Sequence, residues 1–237
     1  MFFDPLYLLI LAASAIISFG ASAWTKSAFH KAKQVATERG WTGAEVAMAI
    51  LREQQIYDVS VVEVQGFLSD HYNPINKQLA LSPDVFHGRS AASAGIAAHE
   101  VGHAIQHAHG YFPLQLRSLL VPAAQFGSTL GPWIVIAGMF MGAAEGMAGG
   151  QTVATIGVVL FAASTLFTLV TLPVEFDASS RAKAILAEMG IIRPGQEHGA
   201  MAGVLNAAAM TYVAAAASSL MMLLYWAYKA GLIGGRR

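Results

Sequence analysis

Ala97-Ala98-His99-Glu100-Val101-Gly102-His103-Ala104 lies near the middle of the chain and carries two histidines four residues apart. Residues at this spacing share a face of an α-helix, so His99 and His103 can both direct an imidazole nitrogen at one metal ion. Glu100 lies next to the first histidine, where a carboxylate can accept a proton from water that zinc has made acidic. This order of residues is typical of zinc peptidases, so the sequence predicts a peptidase with one Zn²⁺ per chain.

The residues around this pattern predict that it lies within a helix. The run from Ala91 to Ala108 contains no proline, Ser90 is a suitable N-cap, and Gly110 and Pro113 follow the run. The motif therefore falls in mid-helix, where two histidines must lie if they are to share a metal ion.

The composition predicts a membrane protein. Of the 237 residues, 55% are hydrophobic and 12% are charged, and the mean hydropathy of +0.52 is too high for an ordinary soluble domain. Four stretches are long enough to cross about 30 Å of hydrocarbon as helices, namely residues 6–24, 119–143, 153–172 and 201–228. The predicted fold class is a mainly α membrane protein with about four transmembrane helices. The prediction also includes a small α+β metalloprotease-like segment with a short β-hairpin, residues 25–118, and a segment that carries the third ligand, residues 173–200. Together with the spans they form a single unit, residues 1–237.

The lysines and arginines predict which side of the membrane each polar segment faces. Eight of the fourteen lie between the first two spans, three lie between the last two, and Gly142 to Thr152 has none. The protein is thus expected to cross the cell membrane several times. By the positive-inside rule, both long polar segments lie on the cytoplasmic side, and the catalytic site is expected there with them. Asp4 precedes the first span and lysines follow it, which indicates a retained anchor with its N-terminus outside. Lys229, Arg236 and Arg237 oppose this topology, so whether the fourth span crosses fully stays open.

A catalytic zinc needs a third protein ligand, and the sequence offers two candidates. Glu175 follows the third span on the predicted cytoplasmic side and opens a predicted helix that runs to about Glu188. His109 stands ten residues after His99, as the third histidine of an extended zinc-binding pattern does, but that pattern has a glycine where Gln106 stands. Glu175 is therefore the preferred third ligand.

Separated motifs in the same order resemble one family over nearly the whole chain. They are Asp70-His71-Tyr72-Asn73-Pro74, residues 97–104, Pro173-Val174-Glu175-Phe176-Asp177-Ala178-Ser179 and Ala207-Ala208-Ala209-Met210-Thr211-Tyr212. The chain looks like the YugP-type bacterial neutral zinc metallopeptidases of the membrane. The resemblance implies a membrane-embedded, gluzincin-like zinc endopeptidase, distantly similar to HtpX-type quality-control proteases and CAAX prenyl endopeptidases.

The resemblance also implies how the third ligand is arranged. Those relatives carry it in a Glu-x-x-x-Asp segment, and matching Glu175 to its glutamate places Ser179 where they have the aspartate that orients a zinc-bound histidine. Asp177 either takes over this orienting role or pairs with Arg181 four residues on, and the surface pair is preferred.

The segment that carries the histidines contains further predicted elements. Thr42 to Ile56 has the apolar spacing of an amphipathic helix, while Val59 to Val64 and Gln78 to Leu81 have the composition of strands joined through a polar loop, residues 68–77. The resemblance suggests that such a strand borders the cleft and pairs with an extended substrate by β-augmentation. The alternative is a hairpin that only packs on the zinc helix.

A group that stabilises the oxyanion of the reaction is also expected. The candidates are His71, Tyr72, His198 and Tyr212. Tyr212 is unusual as a phenol within an apolar helix, although buried tyrosines commonly satisfy only a local hydrogen bond.

Other classes of protein fit the sequence less well. The net charge is zero and no basic face points to nucleic acid, so the expected partners are a peptide or protein substrate and the lipid bilayer. A site-2-type intramembrane protease would carry a later aspartate motif, which the sequence lacks. The remaining alternative is a non-hydrolytic zinc-binding membrane scaffold, but a structural zinc has no use for Glu100 and closes with a fourth protein ligand.

Overall fold

The computed structural model describes residues 4–143 and 146–234. In chain order the elements are α1 (Pro5–Lys33), α2 (Gly43–Glu53), β1 (Ser60–Glu63), β2 (His71–Asn73), β3 (Gln78–Leu81), α3 (Pro83–Phe86), α4 (Ala91–Ala108), α5 (Phe112–Phe140), α6 (Ala148–Glu188) and α7 (Gln196–Lys229). The predicted fold class, a mainly α chain with four candidate membrane spans and a small β-sheet, is confirmed.

Four helices, α1, α5, α6 and α7, are long and apolar enough to cross a membrane. Each contains all or most of one predicted span, and the first, third and fourth helices extend past both ends of theirs. Helix α6 has 41 residues and is therefore about 62 Å long, roughly twice the thickness of the hydrocarbon layer. A large part of α6 is thus available outside the bilayer. Arg236 and Arg237, which oppose the predicted topology, lie outside the described residues.

The chain after the third span differs from the sequence prediction of a helix that begins near Glu175. Helix α6 is instead continuous through Pro173 and ends at Glu188. A proline removes one backbone donor, but apolar helices tolerate this loss where other groups satisfy the freed carbonyl. Glu175 therefore lies on the same helix as the apolar residues 153–172.

The small sheet contains a strand, β2, within the stretch that the sequence predicts to be a loop. Its strand order is β1-β3-β2, with β1 parallel to β3 and β2 antiparallel to β3. The predicted hairpin between the first and last strands is therefore wrong in its pairing, because the antiparallel partner of β3 is β2. In β2, Tyr72 pairs with Leu79. Strand β2 was missed because it has only three residues and lies in a polar stretch.

The described contacts divide the chain into two compact units. The site unit comprises Gly20–Gln115 and Pro173–Thr211, and the span unit comprises Met1–Phe19, Leu116–Leu172 and Tyr212–Arg237. The site unit has a large aliphatic core, in which the biggest fully buried side chains include Phe29, Ile50, Leu79, Leu81, Ile105, Leu186, Ile191, Ile192 and Met201. The assignment of residues 1–237 to one functional unit stays a prediction.

Helix α4 begins as the sequence predicts and packs closely on its neighbours. The Ser90 hydroxyl caps it by accepting a hydrogen bond from the Ser93 backbone. A Cβ atom at Gly102 would lie 2.8 Å from the carbonyl oxygen of Ala178, so the absence of a side chain lets α4 approach α6. Gly102 therefore sets the distance between α4 and the part of α6 that carries Glu175.

Candidate metal centre

Two helices bring three possible metal ligands together. His99 and His103 lie one turn apart on α4, and Glu175 lies on α6. One ligand atom from each residue falls within 4.8 Å of the other two, and no other such group of three is found among the described residues. Oε2 of Glu175 lies 3.3 Å from Nε2 of His99 and 3.6 Å from Nε2 of His103.

The spacing of these atoms fits a zinc ion. Zinc binds histidine nitrogen and carboxylate oxygen at about 2.0–2.2 Å, so two ligands of a tetrahedral site lie roughly 3.4 Å apart. The distances of 3.3 and 3.6 Å from Glu175 to the two imidazoles agree with this value. Two histidines and one glutamate are also the ligand set of one class of catalytic zinc site, which keeps its fourth position for water or substrate.

The site is largely shielded from solvent. The Glu175 side chain is 2% exposed, and those of His99 and His103 are 14% and 10% exposed. Burial by itself lowers the pKa of the His103 imidazole, but its hydrogen bond to Glu175 and the negative charge of Glu100 outweigh this effect and raise the pKa. The negative charges around the site therefore favour a cation between these side chains.

Glu100 is buried in mid-helix beside the first histidine. Its negative charge also acts on Asp70, which precedes β2 and accepts hydrogen bonds from the backbone and hydroxyl of Ser82. Burial chiefly, and the charge of Glu100 in addition, raise the pKa of the Asp70 carboxyl, although the bonds from Ser82 lower it. Two carboxylates thus lie near each other at this side of the histidines.

The other nitrogen of each histidine ring has a different partner. Oγ of Ser179 lies 3.1 Å from Nδ1 of His99. Oε1 of Gln106 lies 3.0 Å from Nδ1 of His103. Both ring orientations are therefore supported by a polar side chain outside the ligand set.

Ser179 and Asp177 decide between the alternatives that the sequence left open. Ser179, at the position of the orienting aspartate, contacts His99 itself. Asp177 pairs with Arg181, as preferred, with 2.6 Å between Oδ2 and Nε. The same Asp177 oxygen also accepts a hydrogen bond from Gln106, so it reaches His103 through one intervening side chain.

The rival ligand lies elsewhere. His109 is the exposed C-cap of α4 and is not part of the three-residue group. His107 accompanies Tyr72 instead, with 2.8 Å between Nδ1 and the phenol oxygen. The tyrosine thus connects β2 to α4 one turn beyond His103.

The other candidates for oxyanion stabilisation are distributed over the chain. His71 is exposed on β2 and its Nδ1 lies 2.8 Å from the Ser69 carbonyl oxygen, while His198 is exposed in the first turn of α7. Tyr212 is half-buried in α7 and belongs to the span unit. No described contact joins His71 or His198 to the three possible ligands, and the roles of all three candidates stay predictions.

Sequence reasoning missed Gln106 and Asp70 as residues near the site. From the sequence, Gln106 was noted only because it stands where an extended zinc-binding pattern has a glycine. A glutamine on an apolar helix, three residues after a candidate metal-binding histidine, is nevertheless a signal of a polar contact to that histidine. Asp70 belongs to a motif that carried the family resemblance, but nothing in its spacing indicates that it lies near Glu100.

Comparisons with known proteins identify the family of the chain. The family model described as "Putative neutral zinc metallopeptidase" matches residues 7–230. The chain is 43% identical over 219 residues to a protein of Bacillus subtilis (strain 168) named "Putative membrane protease YugP". The aligned residues make up 92% of this chain and 94% of that protein. No solved structure matches the chain. With both the family pattern and a relative extending over nearly its full length, the chain belongs to the neutral zinc metallopeptidase family.

Proposed function

We propose that the protein is a membrane-embedded zinc endopeptidase, with one zinc ion held by His99, His103 and Glu175. The observation that carries the proposal is the convergence of these three donors at the spacing of a tetrahedral site, with a buried Glu100 next to the first histidine. Three protein ligands leave one position open, which is the arrangement of catalytic rather than structural zinc.

In this proposal Glu100 is the general base of peptide hydrolysis. A zinc ion at the site supplies Lewis acidity, which polarises the peptide carbonyl and makes a water molecule acidic at neutral pH. Glu100 accepts the proton of the attacking water on its carboxylate and then donates it to the nitrogen of the departing amine. Its burial excludes bulk water, so the proton stays at the site between the two steps.

The edge of the sheet supports a peptide substrate. Strand β2 is an edge strand that pairs only with β3 among the described strands, and Tyr72 links it to α4 near His103. An extended peptide can add to such an edge through main-chain hydrogen bonds. We propose that β2 holds the substrate in this way and that Tyr72 is the best placed of the four candidates for oxyanion stabilisation.

The proposed location is the cytoplasmic side of the cell membrane. The four apolar helices support a multi-pass protein, and the concentration of lysine and arginine in the segments of the site unit supports the cytoplasmic face. A protein or peptide that is associated with the membrane is the proposed substrate.

One alternative loses support from the position of the motif. A site-2-type intramembrane protease carries its histidines on a spanning helix, whereas α4 is not one of the four candidate spans. A zinc-binding scaffold without hydrolytic activity remains the competing function, and the buried Glu100 favours the enzyme over it.

The test is zinc content and peptide cleavage measured on the same preparations of full-length protein in detergent. Wild type is expected to bind one zinc ion and to cleave. Glu100→Gln keeps the zinc ligands and is expected to retain the metal while losing about 100- to 10,000-fold in cleavage rate. Glu175→Ala is expected to lose both zinc and activity, with His109→Ala as the matched control that loses neither.

Three results would contradict the proposal. Full cleavage by Glu100→Gln would remove the proposed base. Wild type that binds zinc but cleaves no member of a broad peptide library would favour the scaffold. If zinc were retained in Glu175→Ala but lost in His109→Ala, the ligand assignment would be wrong.

A further inference from the structure

Gln106 is a fully buried polar side chain that bridges α4 and α6. It is 0% exposed and lies three residues after His103. Its Oε1 lies 3.0 Å from Nδ1 of His103, while its Nε2 donates to the carbonyl oxygen of Val174 and to Oδ2 of Asp177, both at 2.8 Å. One side chain therefore contacts a proposed ligand on α4 and the backbone next to the proposed ligand on α6.

The partners of the amide fix which way round it lies. The carbonyl oxygen of Val174 and the carboxylate of Asp177 are both acceptors, so the group that faces them must be the NH₂ of Gln106. Reversing the amide would place its oxygen against two other oxygens in a buried environment, at a high cost in free energy. The carbonyl oxygen of Gln106 is therefore the group that faces His103.

This orientation determines the state of the His103 ring. An amide oxygen can only accept a hydrogen bond, so Nδ1 of His103 must carry a proton. In the neutral ring, Nε2 is then unprotonated and presents its lone pair, and Nε2 is the atom that lies 3.6 Å from the Glu175 carboxylate. Whenever the ring is neutral, it is therefore in the tautomer that a metal ion requires.

The equivalent contact at His99 lacks this property. Its partner is the hydroxyl of Ser179, which can donate or accept and so permits either tautomer. Asp177 is in turn held by Arg181, which keeps the acceptor for the Gln106 amide in place. The support of His103 is therefore directional, whereas that of His99 is not.

We infer that Gln106 is a positioning residue that selects the Nδ1-protonated tautomer of His103 and ties this ring to the backbone beside Glu175. The inference rests on the proposed function, because it assigns His103 Nε2 to the metal. Partners of this kind contribute about 10- to 100-fold to metal affinity or activity in other zinc sites.

Two substitutions of Gln106 separate its acceptor from its donors. Gln106→Leu removes the acceptor and both donors. In Gln106→Glu, the buried carboxyl beside Asp177 is expected to take up a proton, so that it keeps one oxygen that accepts from Nδ1 of His103 and one hydroxyl that donates to Asp177. Zinc affinity of the full-length protein is measured by competition with a chelator. We expect Gln106→Leu to bind zinc about 10- to 100-fold more weakly, and Gln106→Glu to lose less than about 10-fold. Ser179→Ala is the matched control at the other histidine and is expected to lose less than Gln106→Leu.

The ring protons provide a readout that a purely structural role would not change. In zinc-loaded protein with ¹⁵N-labelled histidine, a slowly exchanging Nδ1 proton on His103 is expected in wild type and in Gln106→Glu, but not in Gln106→Leu. Circular dichroism melting of the metal-free variants reports the loss of packing that the two substitutions share.

Each outcome decides the inference. Equal loss of affinity in Gln106→Leu and Gln106→Glu, or no loss in either, overturns the selection of the tautomer. A proton on Nε2 but not on Nδ1 of His103 in zinc-loaded wild type overturns it without any variant. If wild type binds no zinc, the proposed function fails as a whole, whereas zinc binding that is insensitive to Gln106 defeats only this inference.

Discussion

Both units of the chain contain close glycine contacts, but they differ in how many large side chains they bury between helices. The site unit buries large aliphatic and aromatic side chains around α4, with Ile105 and Leu186 among those that are fully buried. In the span unit, glycines of α5 and α6 approach the backbone of the other helix. A Cβ atom at Gly138 would lie 2.7 Å from the carbonyl oxygen of Gly150, and one at Gly157 would lie 2.6 Å from the backbone nitrogen of Val135.

We expect this difference to arise from the solvent around each unit. Water drives apolar side chains together, so burial of a large core stabilises a water-exposed unit at about 25 cal/mol per Å². Lipid tails are as apolar as leucine and give no such driving force, so helices in a bilayer associate through close backbone contact at small residues. Helix α6 contains both kinds of packing. Its first half has the close contacts at Gly150 and Gly157, and Leu186 near its end is packed in the core of the site unit.

The largest expected effect compares two leucines on α6. Leu186 is 0% exposed in the core of the site unit, while Leu166 is 47% exposed in the span unit. Leu186→Ala should lower the free energy of unfolding by about 2–5 kcal/mol because it leaves a cavity in a packed core. Leu166→Ala should change it much less, since lipid tails fill the space. Thermal unfolding of both variants in the same detergent checks the pair, and equal losses would contradict the distinction between the units.

Removal of zinc should affect the site unit selectively. A ligand present at 100 times its dissociation constant stabilises the folded state by about 2.7 kcal/mol, and this amount is lost with the metal. Hydrogen exchange with and without a chelator should show faster exchange in residues 91–108 and 173–188, and unchanged exchange in residues 153–172. Glu175→Ala is the control in which the chelator has no effect. Faster exchange throughout α6 would show that the metal stabilises both units alike.

The smallest expected effect compares two glycines of the span unit. A side chain at Gly138 would collide with the backbone of α6, whereas nothing lies within 4 Å of a Cβ atom at Gly149. Gly138→Ala should destabilise the protein by about 1–3 kcal/mol because it forces α5 and α6 apart. Gly149→Ala should be neutral or stabilise by up to about 1 kcal/mol. Unfolding midpoints measure both, and tolerance of alanine at Gly138 would refute the close contact.

Much of the local structure could be predicted because its signals are local. Ser90 caps α4 as expected, and Thr42 begins α2 with a capping box to Glu45. The spacing of the two histidines and the position of Glu175 after an apolar span were enough to select the three residues that the structure brings together. Fold class, the helix that carries the two histidines and the candidate ligands all follow from periodicity, caps and motif order.

The remaining features depend on contacts between distant segments. The parallel pairing of β1 with β3 could not be predicted from the sequences of these two short strands, because the composition of a strand does not specify its partner. The continuity of α6 through Pro173 depends on its surroundings rather than on the proline itself. Gln106 gains its partners Val174 and Asp177, which lie 68 and 71 residues away in sequence, only when α4 meets α6.

The contact at Gly102 also limits how freely the zinc motif can vary. In the general pattern, the two residues between Glu100 and His103 are unspecified, but here Val101 is fully buried in the core and Gly102 touches α6. Any larger residue at 102 would press on Ala178, three residues after Glu175, and so would act on the proposed third ligand through the backbone. In this chain all five residues of the motif are therefore constrained. Protein designs that copy only His99, Glu100 and His103 onto the same pair of helices would lose the geometry that brings Glu175 within reach.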